Sequence, residues 1–132
     1  MSKQPLLSTL AALIFSACAL ASTQVLADTA AGATAYQQYC QACHQPGGTG
    51  MRGAFPPIAD NPNVAGNPEY VANAVLKGVR GPIEVNGIQY NGVMPPMGYL
   101  SDQVIADLAN FIEQEWGGKS SKLTAEDVTK LR

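Results

Sequence analysis

The chain has 132 residues, with 8 basic and 10 acidic side chains that give a formal net charge of −2 at pH 7. This length allows one small domain with a modest core. The basic residues form no run or patch, so the charge pattern provides no basis for nucleic-acid binding.

The N-terminal segment has the organisation of an export signal. Lys3 supplies a positive charge, an apolar stretch follows over residues 6–21, and the small residue Ala27 closes the segment. The apolar stretch is shorter than the about 20 residues that a transmembrane helix requires. We therefore predict a signal peptide over residues 1–27, cleaved during export, and a single periplasmic domain over residues 28–132.

Cys18 lies inside this apolar stretch and allows a second interpretation. The preceding Phe15-Ser16-Ala17 loosely resembles a lipoprotein processing site, although such sites prefer leucine three residues before the cysteine. We interpret Cys18 as part of a discarded signal. Attachment to a membrane through a lipid on Cys18 is the alternative.

A first helix is predicted from about Thr29 to His44, because residues of one face recur at helical spacing. That face comprises Ala33, Tyr36, Cys40 and Cys43. Residues 45–65 are rich in Gly, Pro and Asn and are predicted to form a loop.

The end of the first helix carries the most informative motif, Cys40-Gln41-Ala42-Cys43-His44. Two thiols at this spacing can each add to a vinyl group of one porphyrin, and the adjacent histidine can bind the iron as an axial ligand. The single motif therefore predicts one haem c, bound covalently through Cys40 and Cys43, with His44 on the metal.

Paired cysteines also occur in two other kinds of site. A thiol–disulfide redox motif belongs near a βαβ pattern, which is missing here, but a haem-free thiol–disulfide protein stays open as an alternative. A structural zinc site needs four protein ligands, whereas Cys40, Cys43 and His44 supply three. Because the chain has one histidine, zinc and a bis-histidine haem are both excluded.

A second helix and a hairpin follow the loop. Asn67 can cap the helix, Pro68 suits its first position, and Gly78 is a typical terminator. From Ile83 to Tyr90, alternating residues flank an Asn-Gly dipeptide, which is a strong signal for a tight β-hairpin.

Three methionines are candidates for the sixth position on the iron. Met51 lies seven residues after His44, too close to cross to the opposite face of a haem, and is interpreted as surface or pocket lining. Met94 and Met97 flank two prolines, which stiffen their loop and let it press a thioether onto iron. We predict Met94 as the ligand in preference to Met97. If Met94 and Met97 are only apolar packing residues, the alternative is a five-coordinate haem protein that binds gases or acts as a peroxidase.

The last main helix begins at the capping residue Ser101 and ends at Gly117-Gly118. Its apolar stripe predicts ordinary core packing across the first helix, where Gly32 allows close approach and Tyr36 can contact Phe111. The stripe consists of Val104, Ile105, Leu108, Phe111, Ile112 and Trp116. A short final helix is predicted to start near Thr124.

This order of motif, loop, helix, Met-Pro loop and closing helix resembles class I c-type cytochromes over nearly the whole mature chain. It is most similar to the cytochrome subunits and domains of bacterial dehydrogenases and copper nitrite reductases. The segments that carry this similarity are Gly53–Ile58, Val85–Gly87, Tyr90–Met97 and Leu100–Asp102. The resemblance implies an all-α class I cytochrome c fold, with three main helices around one haem and a short β-hairpin before the methionine loop.

The resemblance also implies the roles of the site residues. Cys40 and Cys43 carry the thioether bonds, His44 is the proximal ligand and Met94 the distal one. The carbonyl of Pro56 accepts a hydrogen bond from His44, which fixes the tautomer of the ring. A six-coordinate iron has no open position for oxygen, so we expect a single-electron carrier and not an enzyme.

The expected partners are redox proteins: a dehydrogenase, a nitrite reductase or a terminal oxidase. The chain would be a monomer or an enzyme subunit. Docking is expected at the haem edge, through an apolar patch of modest area. The candidate residues of that patch are Met51, Ala54, Phe55, Pro96 and Met97.

Overall fold

The computed structural model describes residues 29–118 and 122–132. The predicted signal peptide, its cleavage point after Ala27 and Cys18 all lie outside the described residues. Within the described ranges, no helix is long and apolar enough to cross a membrane.

The first helix reaches His44 as predicted, but it is interrupted at Cys40. Residues 29–39 form α1 and Gln41–His44 form α2. Between them Cys40 takes φ −117° and ψ −38°, outside the narrow range of a regular helix. The hydrogen-bond ladder continues across the interruption, because the amide of Cys40 donates to the carbonyl of Tyr36 and that of His44 to the carbonyl of Cys40, both at 2.9 Å.

The predicted second helix is confirmed at both ends. It is α3, Pro68–Lys77, and follows an irregular stretch after His44. The side chain of Asn67 accepts a hydrogen bond from the amide of Tyr70 at 3.2 Å, and Gly78 ends the helix with φ +70°. Local cap chemistry therefore sets these boundaries.

Four short strands follow α3 and form two antiparallel pairs. The predicted hairpin is confirmed as β2, Ile83–Val85, paired with β3, Ile88–Tyr90. Its turn residues Asn86 and Gly87 have φ +51° and +76°, as a type I′ turn requires.

A second strand pair encloses the hairpin. β1, Val79–Arg80, pairs with β4, Val93–Met94, so that Val79 lies opposite Met94. The sequence analysis did not predict this pair, because two-residue strands are too short for an alternating pattern. The domain is helical with small sheets, and a purely helical description omits the contact that ties Met94 to the end of α3.

The last two helices begin where the sequence predicts. α4, Asp102–Ile112, is capped by the Ser101 hydroxyl, which accepts from the amide of Val104 at 3.3 Å. It continues as a π-helical turn over Glu113–Gly117, and α5, Ala125–Leu131, starts with a capping box between Thr124 and Asp127.

The core forms where α4 packs against α3 and α5. Fully buried residues of α4 are Ile105, Ala106, Leu108 and Ala109. The predicted close approach at Gly32 is confirmed, because a Cβ atom there would overlap the carbonyl oxygen of Asp107 and lie 2.5 Å from Cβ of Phe111. The predicted contact of Tyr36 with Phe111 is also present, with ring centroids 5.8 Å apart.

Glu113 is a buried carboxylate that the sequence analysis missed. Its side chain is completely buried at the start of the π-helical turn. It accepts hydrogen bonds from the amides of Gly66 and Asn67 at 2.8 and 3.2 Å. These bonds join the end of α4 to the residue that caps α3, and they satisfy two amides that precede that helix.

We expect Glu113→Gln to lower the free energy of unfolding by about 1–3 kcal/mol. The amide of glutamine keeps the volume but replaces one acceptor oxygen with a donor, so one of the two bonds to the amides of Gly66 and Asn67 is lost and a donor is buried in its place. Thermal unfolding would measure the change, with Glu115→Gln on the same turn as the control, because Glu115 is exposed. Equal shifts in Tm for the two variants would contradict a role for the buried carboxylate.

Candidate functional site

One apolar cleft collects all the predicted site residues. It holds about 1190 Å³ of empty space, counted to its open mouth, and Cys40, Cys43, His44, Pro56 and Met94 all line it. Its aliphatic walls include Ile58, Val64, Val71, Val75, Val79 and Ile112. Among the described residues that line it there is no Asp, Glu, Lys or Arg, so the cleft suits a large apolar group.

The imidazole of His44 is held in one tautomer. Its Nδ1 lies 2.9 Å from the carbonyl oxygen of Pro56. Because a carbonyl only accepts, Nδ1 must carry the proton and donate, which leaves the lone pair of a neutral ring on Nε2. Within the described part of the chain, Nε2 has no hydrogen-bond partner.

Burial favours the neutral form of this ring. It lowers the pKa of His44 from its ordinary value of 6.5, and the hydrogen bond to Pro56 offsets part of that effect. A histidine must be neutral to bind a metal. A neutral ring with its lone pair on Nε2 is therefore suited to bind a metal.

The backbone on either side of His44 is also fixed. The hydroxyl of Tyr36 donates to the carbonyl of Gln45 at 2.7 Å, and the amide of Gly50 donates to the carbonyl of His44 at 2.9 Å. Burial raises the pKa of Tyr36 to about 12, so its hydroxyl stays a donor. The Tyr36 ring lies 5.0 Å from that of Trp116, which connects the motif to the end of α4.

The segment that supplies the Pro56 carbonyl is braced by Asn61. This buried side chain lines the cleft and donates from Nδ2 to the carbonyl of Pro57 at 2.8 Å. Its Oδ1 accepts from the amide of Asn63 at 3.0 Å. Asn61 has no recognisable signal in the sequence, because asparagine in a loop is too common to mark a site.

The two cysteines lie in different surroundings. Cys40 is buried and Cys43 is exposed, although both line the cleft. Burial, together with the neighbouring Cys43, raises the pKa of Cys40 to about 12. Cys40 is therefore not a candidate for the thiolate that a thiol–disulfide reaction requires.

Met94 and Met97 both line the cleft but differ in burial. Met94 lies on β4 and is half-buried, whereas Met97 is 8% exposed and belongs to the core. The amide of Met97 donates to the carbonyl of Val75 at 2.7 Å, which holds that residue against α3. Met51 is 52% exposed and is not among the cleft residues, so its interpretation as a surface residue is confirmed.

An exposed apolar rim surrounds the mouth of the cleft. Ala54, Phe55 and Val93 line the cleft and are exposed, Val93 to 61%. The prediction that Met97 belongs to this exposed patch is wrong, because its packing on α3 buries it. Val93 was not predicted, because strand β4, which turns it outward, depends on a partner distant in sequence.

Comparison with known proteins identifies the family. A family model described as "Cytochrome C oxidase, cbb3-type, subunit III" matches residues 27–112. The chain belongs to the cytochrome c family. As a cytochrome c it is an electron carrier, and its order of elements is that of the class I proteins.

Several relatives of this cytochrome are known. "Cytochrome c-552" of Thermus thermophilus is 45% identical over 112 residues, which cover 76% of this chain and 83% of that protein. The "Alcohol dehydrogenase (quinone), cytochrome c subunit" of Komagataeibacter europaeus is 42% identical over 116 residues, 76% of this chain and 22% of that subunit. The "Gluconate 2-dehydrogenase cytochrome c subunit" of Pantoea cypripedii is 38% identical over 109 residues, which cover 80% of this chain and 24% of that subunit.

The last two relatives are much longer than this cytochrome, which spans about a quarter of each. The resemblance to class I cytochromes and to the cytochrome subunits of dehydrogenases is confirmed. The donor set of the cleft also fits the haem of this family. It combines two thiols, a neutral imidazole with a free lone pair and a thioether, inside walls without charge.

Proposed function

We propose that this cytochrome is an exported single-electron carrier with one haem c. Cys40 and Cys43 would bind the haem covalently, and His44 and Met94 would ligate its iron. The observation that carries the proposal is the presence of these four side chains around one apolar cleft, although Met94 is fifty residues from His44.

The residues of the cleft determine what such a centre can do. Haem c supplies a one-electron couple when it is bound. The Pro56 carbonyl would keep the tautomer of His44 that leaves Nε2 available to the metal. The thioether of Met94 and the uncharged walls disfavour the additional positive charge of the oxidised state, which raises the reduction potential. With both His44 and Met94 bound to it, the iron would have no free position for oxygen.

Electrons would enter and leave at the exposed apolar rim of Ala54, Phe55 and Val93. A small apolar surface suits brief docking better than permanent association. The names of the longer relatives favour a dehydrogenase as the redox partner, with a nitrite reductase or a terminal oxidase as the other candidates.

We place the carrier in the periplasm as residues 28–132, after cleavage of the signal peptide at the end of Ala27. Attachment to a membrane through a lipid on Cys18 is the alternative.

Spectroscopy of the exported protein tests this proposal. We expect one haem per chain in the pyridine haemochrome assay after denaturation, and a ferric low-spin spectrum with a band at about 695 nm, typical of methionine on haem iron. A high-spin spectrum that responds to carbon monoxide would indicate the five-coordinate alternative. Absence of haem would leave the thiol–disulfide protein. Mass spectrometry of the mature chain would locate the cleavage site.

We expect Gly78→Ala to displace the methionine loop. A Cβ atom at Gly78 would lie 2.5 Å from the carbonyl oxygen of Met94 and 2.9 Å from the nitrogen of Pro96. The combination of φ +70° with ψ 177° is open essentially to glycine alone, and it adds about 1–3 kcal/mol of backbone strain. A weaker band at about 695 nm and a lower Tm would show the displacement.

Gly53→Ala is the matched control for this substitution. Its φ is +78°, but nothing lies within 4 Å of the added atom. It therefore shares the positive φ without the clash, and the band of this variant should stay at full intensity. Equal weakening of the band in both variants would contradict a specific contact with the loop.

A further inference from the structure

The guanidinium group of Arg132 makes three hydrogen bonds to one short segment. Its Nη1 donates to the carbonyl of Gly98 and its Nη2 to the carbonyl of Leu100, both at 2.7 Å. Its Nε donates to Oδ1 of Asp102 at 2.6 Å. The segment comes directly after Met97, so Arg132 holds the exit of the methionine loop.

The helix that carries Arg132 is itself firmly anchored. Val128 of α5 is completely buried, and the hydroxyl of Thr129 donates to Oδ2 of Asp102 at 2.7 Å. Leu123, which precedes α5, is held by the side chain of Asn110 through two hydrogen bonds of 2.9 Å to its backbone. Arg132 therefore projects from a fixed support.

The methionine loop has few other restraints. At its entry, β4 pairs with β1, and at Met97 the amide donates to the carbonyl of Val75. Pro95 and Pro96 have no amide hydrogen, so the centre of the loop cannot bond to the rest of the fold through donors. Beyond Met97, the amide of Leu100 donates to the carbonyl of Met97 at 3.0 Å, and Arg132 binds the carbonyls of Gly98 and Leu100 in the same turn.

We propose that Arg132 is a positioning residue for Met94, which limits how often the thioether leaves the haem iron. The inference rests on the proposed ligation by Met94. The planar fork of arginine reaches two carbonyls and a carboxylate at once, whereas a lysine ammonium is a single point that cannot span them. The ion pair with Asp102 is partly exposed, with 38% and 24% of the two side chains accessible. It therefore contributes little by itself, and the two carbonyl bonds provide the restraint.

Binding of imidazole to the ferric holoprotein measures how readily Met94 leaves. We expect Arg132→Gln to bind imidazole about tenfold more tightly than the wild type, equivalent to about 1.4 kcal/mol. Arg132→Lys should bind imidazole nearly as tightly as Arg132→Gln, because lysine restores only a small part of the restraint. Asp102→Asn, which keeps both carbonyl bonds, should stay within about twofold of the wild type by the weakness of exposed ion pairs.

Lys130→Gln is the control on the same helix, because Lys130 pairs with Asp127 and is 72% exposed. An Arg132→Gln protein with a lower Tm but wild-type imidazole affinity would reduce Arg132 to a general stabilising residue and overturn the inference. An equal gain in imidazole affinity in Lys130→Gln would also overturn the inference. If the wild type lacks the band at about 695 nm, the ligation by Met94 fails first, and the inference fails with it.

Discussion

Replacing Met94 by alanine is expected to abolish the ferric band at about 695 nm and to convert the iron to a form that binds carbon monoxide when reduced. Alanine has no donor atom, and the distal side of the cleft would lose its thioether. The reduction potential should fall by on the order of 0.1 V, a fraction of the ~0.8 V that axial ligands span. Optical spectra and a redox titration would measure both changes.

Met97→Ala is the matched control, because the two methionines lie three residues apart in one loop and both line the cleft. Met97 is buried in the core, so its truncation should cost about 2–5 kcal/mol of stability. The band should persist. Loss of the band in Met97→Ala alone would transfer the ligand assignment to Met97 and leave the electron carrier intact.

The double substitution Cys40→Ala with Cys43→Ala is expected to abolish covalent haem and to prevent compact folding. The cleft of about 1190 Å³ is walled by aliphatic side chains from several elements. Without a group to fill it, these side chains would face water, at roughly 25 cal/mol per Å² of apolar surface. The pyridine haemochrome assay after denaturation would report the haem, and circular dichroism the helices.

Each single cysteine variant should keep one thioether bond and part of its haem. Cys18→Ala is the control for the pair, because it changes a cysteine outside the motif. It should leave the haem content unchanged, and membrane fractionation of this variant would also test the lipid-anchor alternative. Full covalent haem in the double variant would contradict the attachment proposed here.

Short-range chemistry made several elements predictable. Asn67, Ser101 and Thr124 begin helices because their side chains accept amide hydrogens two or three residues ahead, within the reach of a local pattern. The Asn-Gly pair at 86–87 produces its turn because both residues tolerate positive φ. The chemistry of the Cys40–His44 motif was also predictable from the sequence, because its two thiols and its imidazole are close neighbours in the chain.

Other features depend on partners distant in sequence and had no local signal. The pairing of β1 with β4 joins residues 79 and 94. The burial of Glu113 depends on the amides of Gly66 and Asn67. The interruption of the first helix at Cys40 occurs within a segment whose periodicity is helical throughout. For the strand pair and for Glu113, tertiary contacts supplemented local preference, whereas no contact in the structure explains the interruption at Cys40.

The amino-acid order alone determines the haem-binding motif and the ends of most helices, because each depends on groups within a few residues of one another. The order of these motifs along the chain also indicates the family. The arrangement of Met94 and Met97 at the cleft followed only from the folded chain. The stiffness of the two prolines applies equally to both methionines. The residues are distinguished by long-range contacts: the pairing of Met94 with Val79, the bond of Met97 to α3 and the bonds of Arg132 to the segment after them. Such contacts form only when the whole domain has packed.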